Sequence, residues 1–147
     1  MTTFLLDVNV LLALSDPMHI HHEAAHRWFV AKGQSAWATC PITENGFVRI
    51  ASHPNYPNRP GDVPAVLVIL RQFCATAGHY FWSEDVSIRE LLQPGALIPH
   101  SQITDVFLLG LAIYKGGKLA TFDQRISTSA VQGGAEALEL IAPKVVT

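Results

Sequence analysis

Leu5-Leu6-Asp7-Val8-Asn9-Val10-Leu11-Leu12-Ala13-Leu14 is the run that decides the fold. Thr3 to Leu6 reads as a short buried strand. Asn9 to Leu14 starts a helix, which Ser15-Asp16-Pro17 ends. Asp7 stands at the junction with core-type residues on both sides. An ionised carboxylate in that position is costly unless it is paired, hydrogen-bonded or bound to a metal.

Working outward, three more acids share this predicament. Glu44 follows Cys40-Pro41-Ile42-Thr43, Asp105 precedes Val106-Phe107-Leu108-Leu109, and Asp123 follows Leu119-Ala120-Thr121-Phe122. Acids placed beside core sequence at separate points of one chain suggest a common partner. A hard divalent cation, which prefers carboxylate oxygens, is the simplest one.

The rest of the chain alternates helix and strand. His21 to Lys32 is an amphipathic helix stopped by Gly33, with Ala24, Ala25, Trp28 and Phe29 inward. Ser35 to Thr39 is a second strand, and Pro41 suits the first turn of a helix running to about Ala51. His53 to Asp62, rich in Pro, Asn and Gly, is one long loop. Val63 to Ala77 is a strongly apolar helix. Tyr80 to Trp82, Lys118 to Thr121 and Ala137 to Ile141 are strands. Asp85 to Leu92 and Gln102 to Tyr114 are helices, the latter apolar enough to be buried, with Ser101 as its N-cap. Alternation of this kind implies a parallel sheet covered on both faces, with sites beyond the carboxyl ends of the strands. Asp7 and Asp123 fall directly after strands. Glu44 and Asp105 fall in the first turns of helices, whose N-termini favour negative groups.

Composition narrows the class. The 147 residues fit a single domain spanning 1–147. Apolar residues make up 49%, too many for a disordered chain. The apolar stretch Val106 to Tyr114 is too short to cross a bilayer, so no membrane association is expected. Asp7 in the first apolar run, without a basic segment ahead of it, argues against a secretory signal. Cys40 and Cys74 could form one bridge but make no disulfide framework, and the expected compartment is the cytoplasm. A formal net charge of −2 excludes a protein that grips nucleic acid by charge alone. It leaves room for a nucleic-acid enzyme whose metal offsets an acidic site.

The segments carrying the acids resemble the PIN-domain ribonucleases, in particular the VapC-type toxins of bacterial toxin–antitoxin pairs. The matching stretches are Leu5 to Leu14, Cys40-Pro41-Ile42-Thr43-Glu44-Asn45-Gly46-Phe47-Val48-Arg49-Ile50, His100 to Ala112, and Gly116-Gly117-Lys118-Leu119-Ala120-Thr121-Phe122-Asp123. They occur in the family's order and cover nearly the whole chain. The resemblance implies a PIN-like three-layer α/β/α sandwich with a central, mainly parallel sheet. It implies an endoribonuclease toxin, dependent on Mg²⁺ with Mn²⁺ as a substitute, that hydrolyses RNA and inhibits translation. It also implies a cognate antitoxin and a homodimer. By the same resemblance Asp7, Glu44, Asp105 and Asp123 are the catalytic carboxylates.

Elementary chemistry agrees. Phosphodiester hydrolysis needs an acidified water and a stabilised negative charge, and one or two Mg²⁺ ions serve both needs. Asp7, Asp105 and Asp123 are the expected metal residues. Glu44 is an outer-sphere group, a ligand for a second ion, or the residue that orients water. Asn9, Ser101 and Thr121 are supporting candidates. Asn9 could hold Asp7 in place or simply cap a helix. For Thr121 the plainer reading, a strand residue with a satisfied hydroxyl, is preferred.

Arg49, His100 and Arg125 are weaker candidates for substrate contact, and Tyr56 and Arg59 in the long loop could meet RNA by stacking and charge. His22 and His26 stand one helical turn apart, but no partner is placed to complete a zinc site, so a solvated helix start is preferred. Trp28, Trp37 and Trp82 read as core or interface residues. A receiver-like signalling domain is the alternative function, since it also holds Mg²⁺ in an acidic pocket. It needs an acidic pair near the first strand, where Asp7 stands alone.

Overall fold

Five short strands form one parallel sheet in the order β3-β2-β1-β4-β5. They are β1 (Phe4–Leu6), β2 (Trp37–Thr39), β3 (His79–Phe81), β4 (Lys118–Thr121) and β5 (Leu138–Leu140). The computed structural model describes residues 1–143 of the chain. Leu5 pairs with Ala38 on one side and Leu119 on the other, so β1 is the central strand.

Helices cover both faces, as burial on two sides requires of a parallel sheet. One layer holds α1 (Val8–Ser15), α2 (His22–Trp28), α3 (Pro41–Ala51) and α4 (Val63–Cys74). It packs on Phe4, Leu6, Trp37 and Ala120. The opposite layer holds α5 (Ile88–Leu91), α6 (Ile103–Tyr114) and α7 (Gly134–Ala137). It packs on Leu5, Ala38 and Leu119. The alternation along each strand divides the core into two. The arrangement is a three-layer α/β/α sandwich.

Several element ends differ from the sequence reading. The helix expected over His21 to Lys32 is α-helical only to Trp28. Phe29–Gly33 then forms a π-helical turn, closed by the Gln34 N–H on the Phe29 carbonyl. Gly33 lies under the Trp28 ring, where a Cβ would collide. The helix expected to Ala77 ends at Cys74, because the chain must turn to bring Gly78 against the Gln34 carbonyl. That helix is also no central core element: Val66 and Leu70 are buried, while Val63 and Val68 face solvent.

Ser101 does not cap α6. It is exposed in a 3₁₀ turn, His100–Gln102, and Gln102 takes the cap position without a side-chain bond. The helix expected over Asp85 to Leu92 is reduced to α5, which Ser87 and Glu90 close as a capping box. The strand expected over Ala137 to Ile141 is β5, introduced by α7, which the sequence did not announce. The long loop is tied down. Tyr56 donates its hydroxyl hydrogen to Asp16 Oδ2 at 2.7 Å, Asn58 reaches the same oxygen at 3.0 Å, and Arg59 bonds the Ser52 carbonyl at 2.8 Å. These contacts anchor Tyr56 and Arg59, the two loop residues read as able to meet RNA, through the hydroxyl and Nε.

Candidate active site at the sheet switch point

In the order β3-β2-β1-β4-β5 the chain winds outward from β1 in one direction, then returns to start β4 on its other side. The crevice at the carboxyl ends of β1 and β4 is therefore the topological switch point, where open α/β sheets place their ligands. Asp7 follows β1 and Asp123 follows β4 by two residues. Asp105, in the first turn of α6, reaches the same edge.

Asp7 itself is the N-cap of α1, accepting the Val8 N–H on Oδ1 at 2.8 Å. Its backbone N–H bonds the Ala120 carbonyl at 3.0 Å, which prolongs the β1–β4 ladder. Oδ2 accepts the Thr121 hydroxyl at 2.8 Å. The Thr121 oxygen in turn accepts from Asn9 Nδ2 at 3.0 Å and from the Asp123 N–H at 3.1 Å. A hydroxyl has one hydrogen and two lone pairs, so Thr121 uses its full capacity. Asn9 completes the link by accepting the Phe122 N–H on Oδ1 at 3.3 Å. Thus Asn9 caps nothing, and it holds Asp7 through Thr121 rather than directly. Thr121, wholly buried, is a strand residue with a satisfied hydroxyl, as the plainer reading had it, and that hydroxyl is the hub of the network.

Electrostatics bind the third acid to the other two. Burial is the main cause that raises the Asp7 carboxyl above its ordinary value, opposed by the bonds from Thr121 and Val8 and reinforced by Asp123. Asp105 is pushed up to about 6 by burial, then by the charges of Asp7 and Asp123; Arg125 relieves it in part. Arg125 Nε stands 3.2 Å from Asp123 Oδ1, and its backbone N–H donates to the same oxygen at 2.9 Å. Three acids thus converge on one edge, with one guanidinium against them. Oxygen donors with surplus negative charge fit a hard divalent cation.

Glu44 makes its contacts elsewhere. It lies on α3, and its Oε2 accepts the Thr39 hydroxyl at 2.6 Å. Thr39 Oγ1 is also 2.7 Å from His79 Nε2. Glu44, Cys74 and His79 offer ligand atoms that all lie within 4.8 Å of one another. Gly46 brings α3 close to α1, since a Cβ there would meet Val8 at 2.8 Å. The helix of Glu44 thus packs on the start of α1, while the Glu44 side chain hydrogen-bonds to β2.

The remaining candidates divide. Arg125 is at the site. Arg49 is exposed on α3 and His100 is exposed ahead of α6. His22 and His26 spend ring nitrogens on the Ala13 and Leu14 carbonyls, at 2.7 and 3.2 Å. Trp37 is core, and Trp28 bonds Glu139 at 2.9 Å. The sequence reading missed His21, which stacks on Phe122 at 4.7 Å and lines a cleft with Asn9, Asp123, Gln124 and Arg125. The sequence signal for it was its place beside His19, His22 and His26.

Comparison with known proteins bears on this geometry. The family model described as "PIN domain" matches residues 4–131. Ribonuclease VapC44 of Mycobacterium tuberculosis is 44% identical over 131 residues, covering 88% of this chain and 92% of that protein. Two solved structures share the fold at low identity. One is M. tuberculosis VapC20, described as a Sarcin-Ricin loop cleaving toxin, with TM-score 0.60, 11% identity, and coverage of 87% of this chain and 95% of the other. The other is VapBC2 from Rickettsia felis, bound to a DNA fragment from its promoter, with TM-score 0.57, 12% identity and coverage of 95% and 99%. The receiver-like alternative is not favoured: doubly wound sheets of that kind run 2-1-3-4-5, and this sheet runs 3-2-1-4-5.

Proposed function

We propose, on the premise that this chain belongs to the PIN-domain family and is a VapC-type toxin endoribonuclease, that Asp7, Asp105 and Asp123 form its catalytic metal site. The convergence of three carboxylates on the switch point, two of them held above their ordinary values, carries the proposal. Mg²⁺, with Mn²⁺ as a substitute, would supply Lewis-acid stabilisation of the phosphoryl charge and a more acidic water.

The protein's own part is positional. Thr121 and Val8 each fix one oxygen of Asp7, and each oxygen keeps a further lone pair to offer a cation. Asp105, raised by burial and by the charges of Asp7 and Asp123, is the carboxylate that a cation would relieve most. Arg125 is exposed beside Asp123 and supplies a cation for a substrate phosphate. Arg49 and His100 are more peripheral candidates for the same task. Glu44, the fourth carboxylate of the motif, would act from the flank of the site. Ser101 is kept only as a neighbour of the Asp105 turn.

The proposed substrate is RNA and the setting the cytoplasm; among the described residues no helix is long and apolar enough to cross a membrane. An antitoxin is the proposed partner, supported by the toxin–antitoxin neighbour VapBC2. Its inhibitory segment should carry Arg or Lys to meet the acidic crevice.

The test is cleavage of total RNA by the purified chain. Cleavage should require Mg²⁺ or Mn²⁺, stop with chelator, and fall by at least about a hundredfold in Asp7→Asn and Asp123→Asn. Expression of the wild type should arrest growth and Asp7→Asn should not. Undiminished cleavage in excess chelator would refute the metal mechanism.

A further inference from the structure

A second polar cluster lies one strand away from the aspartates. Thr39, wholly buried, ends β2. Its Oγ1 is 2.6 Å from Glu44 Oε2 and 2.7 Å from His79 Nε2. The Cys74 thiol is close enough to interact with the same hydroxyl. The His79 ring also lies close to the backbone of Cys74.

The cluster turns on one exchangeable hydrogen. Thr39 gives its hydrogen to Glu44, and its oxygen accepts from His79 when the neutral ring carries its hydrogen on Nε2. With the hydrogen on the other ring nitrogen, Nε2 presents a lone pair to a cation, and the Glu44 carboxylate and the Cys74 thiol stand beside it.

The scaffold is fixed from three sides. Glu44 is in the first turns of α3, Cys74 is the last residue of α4, and His79 opens β3. The turn from Cys74 to His79 is pinned: Gly78 packs against the Gln34 carbonyl and accepts the Trp37 N–H at 2.9 Å. All three ligand-bearing residues are partly accessible. In tetrahedral zinc sites ligand atoms stand roughly 3.5 Å apart. Atoms already within 4.8 Å of one another need only small side-chain rotations to reach that spacing. A thiolate and an imidazole select Zn²⁺ over Mg²⁺.

We infer that Glu44, Cys74 and His79 form a Zn²⁺-class site, separate from the three aspartates and completed by water or the Thr39 hydroxyl. Binding deprotonates Cys74: the S–H bond breaks, a Zn–S bond forms, and the proton leaves to solvent. The consequence for catalysis rests on the nuclease reading. Zn²⁺ holds Glu44 on the β2–β3 side and withholds it from the aspartates, so occupancy slows RNA cleavage.

Co²⁺ is the probe, because only a thiolate ligand gives it an intense near-ultraviolet charge-transfer band. The full chain should show this band at one equivalent, and Zn²⁺ should abolish it. Asp7→Asn should keep the band, and Cys74→Ser should lose it. Zn²⁺ affinity, read by competition with a metallochromic chelator, should fall by more than about tenfold in Cys74→Ser and in His79→Gln. Equal melting of these variants and wild type in chelator shows that the fold is intact. No thiolate band in the wild type, or a band that survives Cys74→Ser, overturns the site. If the band behaves as expected but Zn²⁺ slows RNA cleavage equally in wild type and Cys74→Ser, the sharing of Glu44 is overturned while the site stands. Failure of Mg²⁺-dependent cleavage itself would instead refute the nuclease reading and leave the cobalt result untouched.

Discussion

Asp105→Asn should stabilise the metal-free protein while abolishing its activity. In the folded chain the Asp105 carboxyl is pushed from an ordinary 3.8 up to about 6. A rise of that size corresponds to about 3 kcal/mol of penalty on the ionised form. The group is only half-buried, and solvent screening reduces the usable figure to about 1–2 kcal/mol. Asparagine keeps the shape and removes the charge that Asp7 and Asp123 repel. At pH 7.5 in chelator the variant should melt about 2–6 °C higher than wild type. The sign follows from proton linkage. Between 3.8 and about 6 the native state holds more protons than the unfolded one, so wild-type stability falls as pH rises through this window. The advantage of Asp105→Asn should therefore shrink as pH drops through the window, and be gone below it. Saturating Mg²⁺ should reverse the order, because only the intact site gains binding energy. Thermal melts at three pH values, with and without Mg²⁺, measure all of this. A variant that melts lower than wild type at pH 7.5 in chelator would mean that Asp105 is a structural partner, and the reasoning fails.

Thr121→Val is nearly isosteric but breaks three hydrogen bonds around a buried carboxylate. Stability should fall by about 1–3 kcal/mol in denaturant titration, with RNA cleavage at saturating Mg²⁺ lowered more than tenfold; unchanged cleavage would make the hub purely structural. Tyr56→Phe removes one bond to Asp16, whose carboxyl is held below its ordinary value by bonds from Tyr56, Asn58 and Met18 that outweigh burial. It should cost about 1 kcal/mol without touching activity, and lost activity would return the long loop to the substrate side. The chain should sediment as a homodimer at micromolar concentration, through apolar surface that includes Val63 and Val68 on α4; a concentration-independent monomer contradicts this.

The architecture was legible because its signals are strong and local. Asp7 amid core residues located the end of β1, Pro41 the start of α3, and Gly116-Gly117 the start of β4. Element ends were less legible for a definite reason. Four of the five strands are three residues long, so tertiary pairing, not periodicity, sets their limits. The Phe29–Gly33 turn depends on the Trp28 ring over Gly33, and the early stop of α4 on the contact of Gly78 with Gln34. The acids Asp7, Asp105 and Asp123 could be found one by one. Their coupling through Thr121 could not, since nothing in Leu119-Ala120-Thr121 tells that hydroxyl from any other strand threonine. His21 reaches the site by stacking on Phe122, a residue 101 positions away.

The sheet order explains why two polar centres sit so close without merging. β1 lies between β2 and β4, and each neighbour ends in a buried threonine. Thr121 on β4 gathers Asp7, Asn9 and the Asp123 backbone. Thr39 on β2 gathers Glu44 and His79, with Cys74 beside them. The first set offers oxygen alone and suits a hard ion that keeps its waters. The second offers oxygen, nitrogen and sulfur and suits a softer one. Glu44 is the residue whose allegiance matters, because it belongs to the acids of the sequence motif while its carboxylate accepts the hydroxyl of Thr39 on β2. An acid fixed in one centre could not serve both. An acid on a helix N-terminus, restrained by a single hydroxyl, can be drawn either way by whichever cation is present.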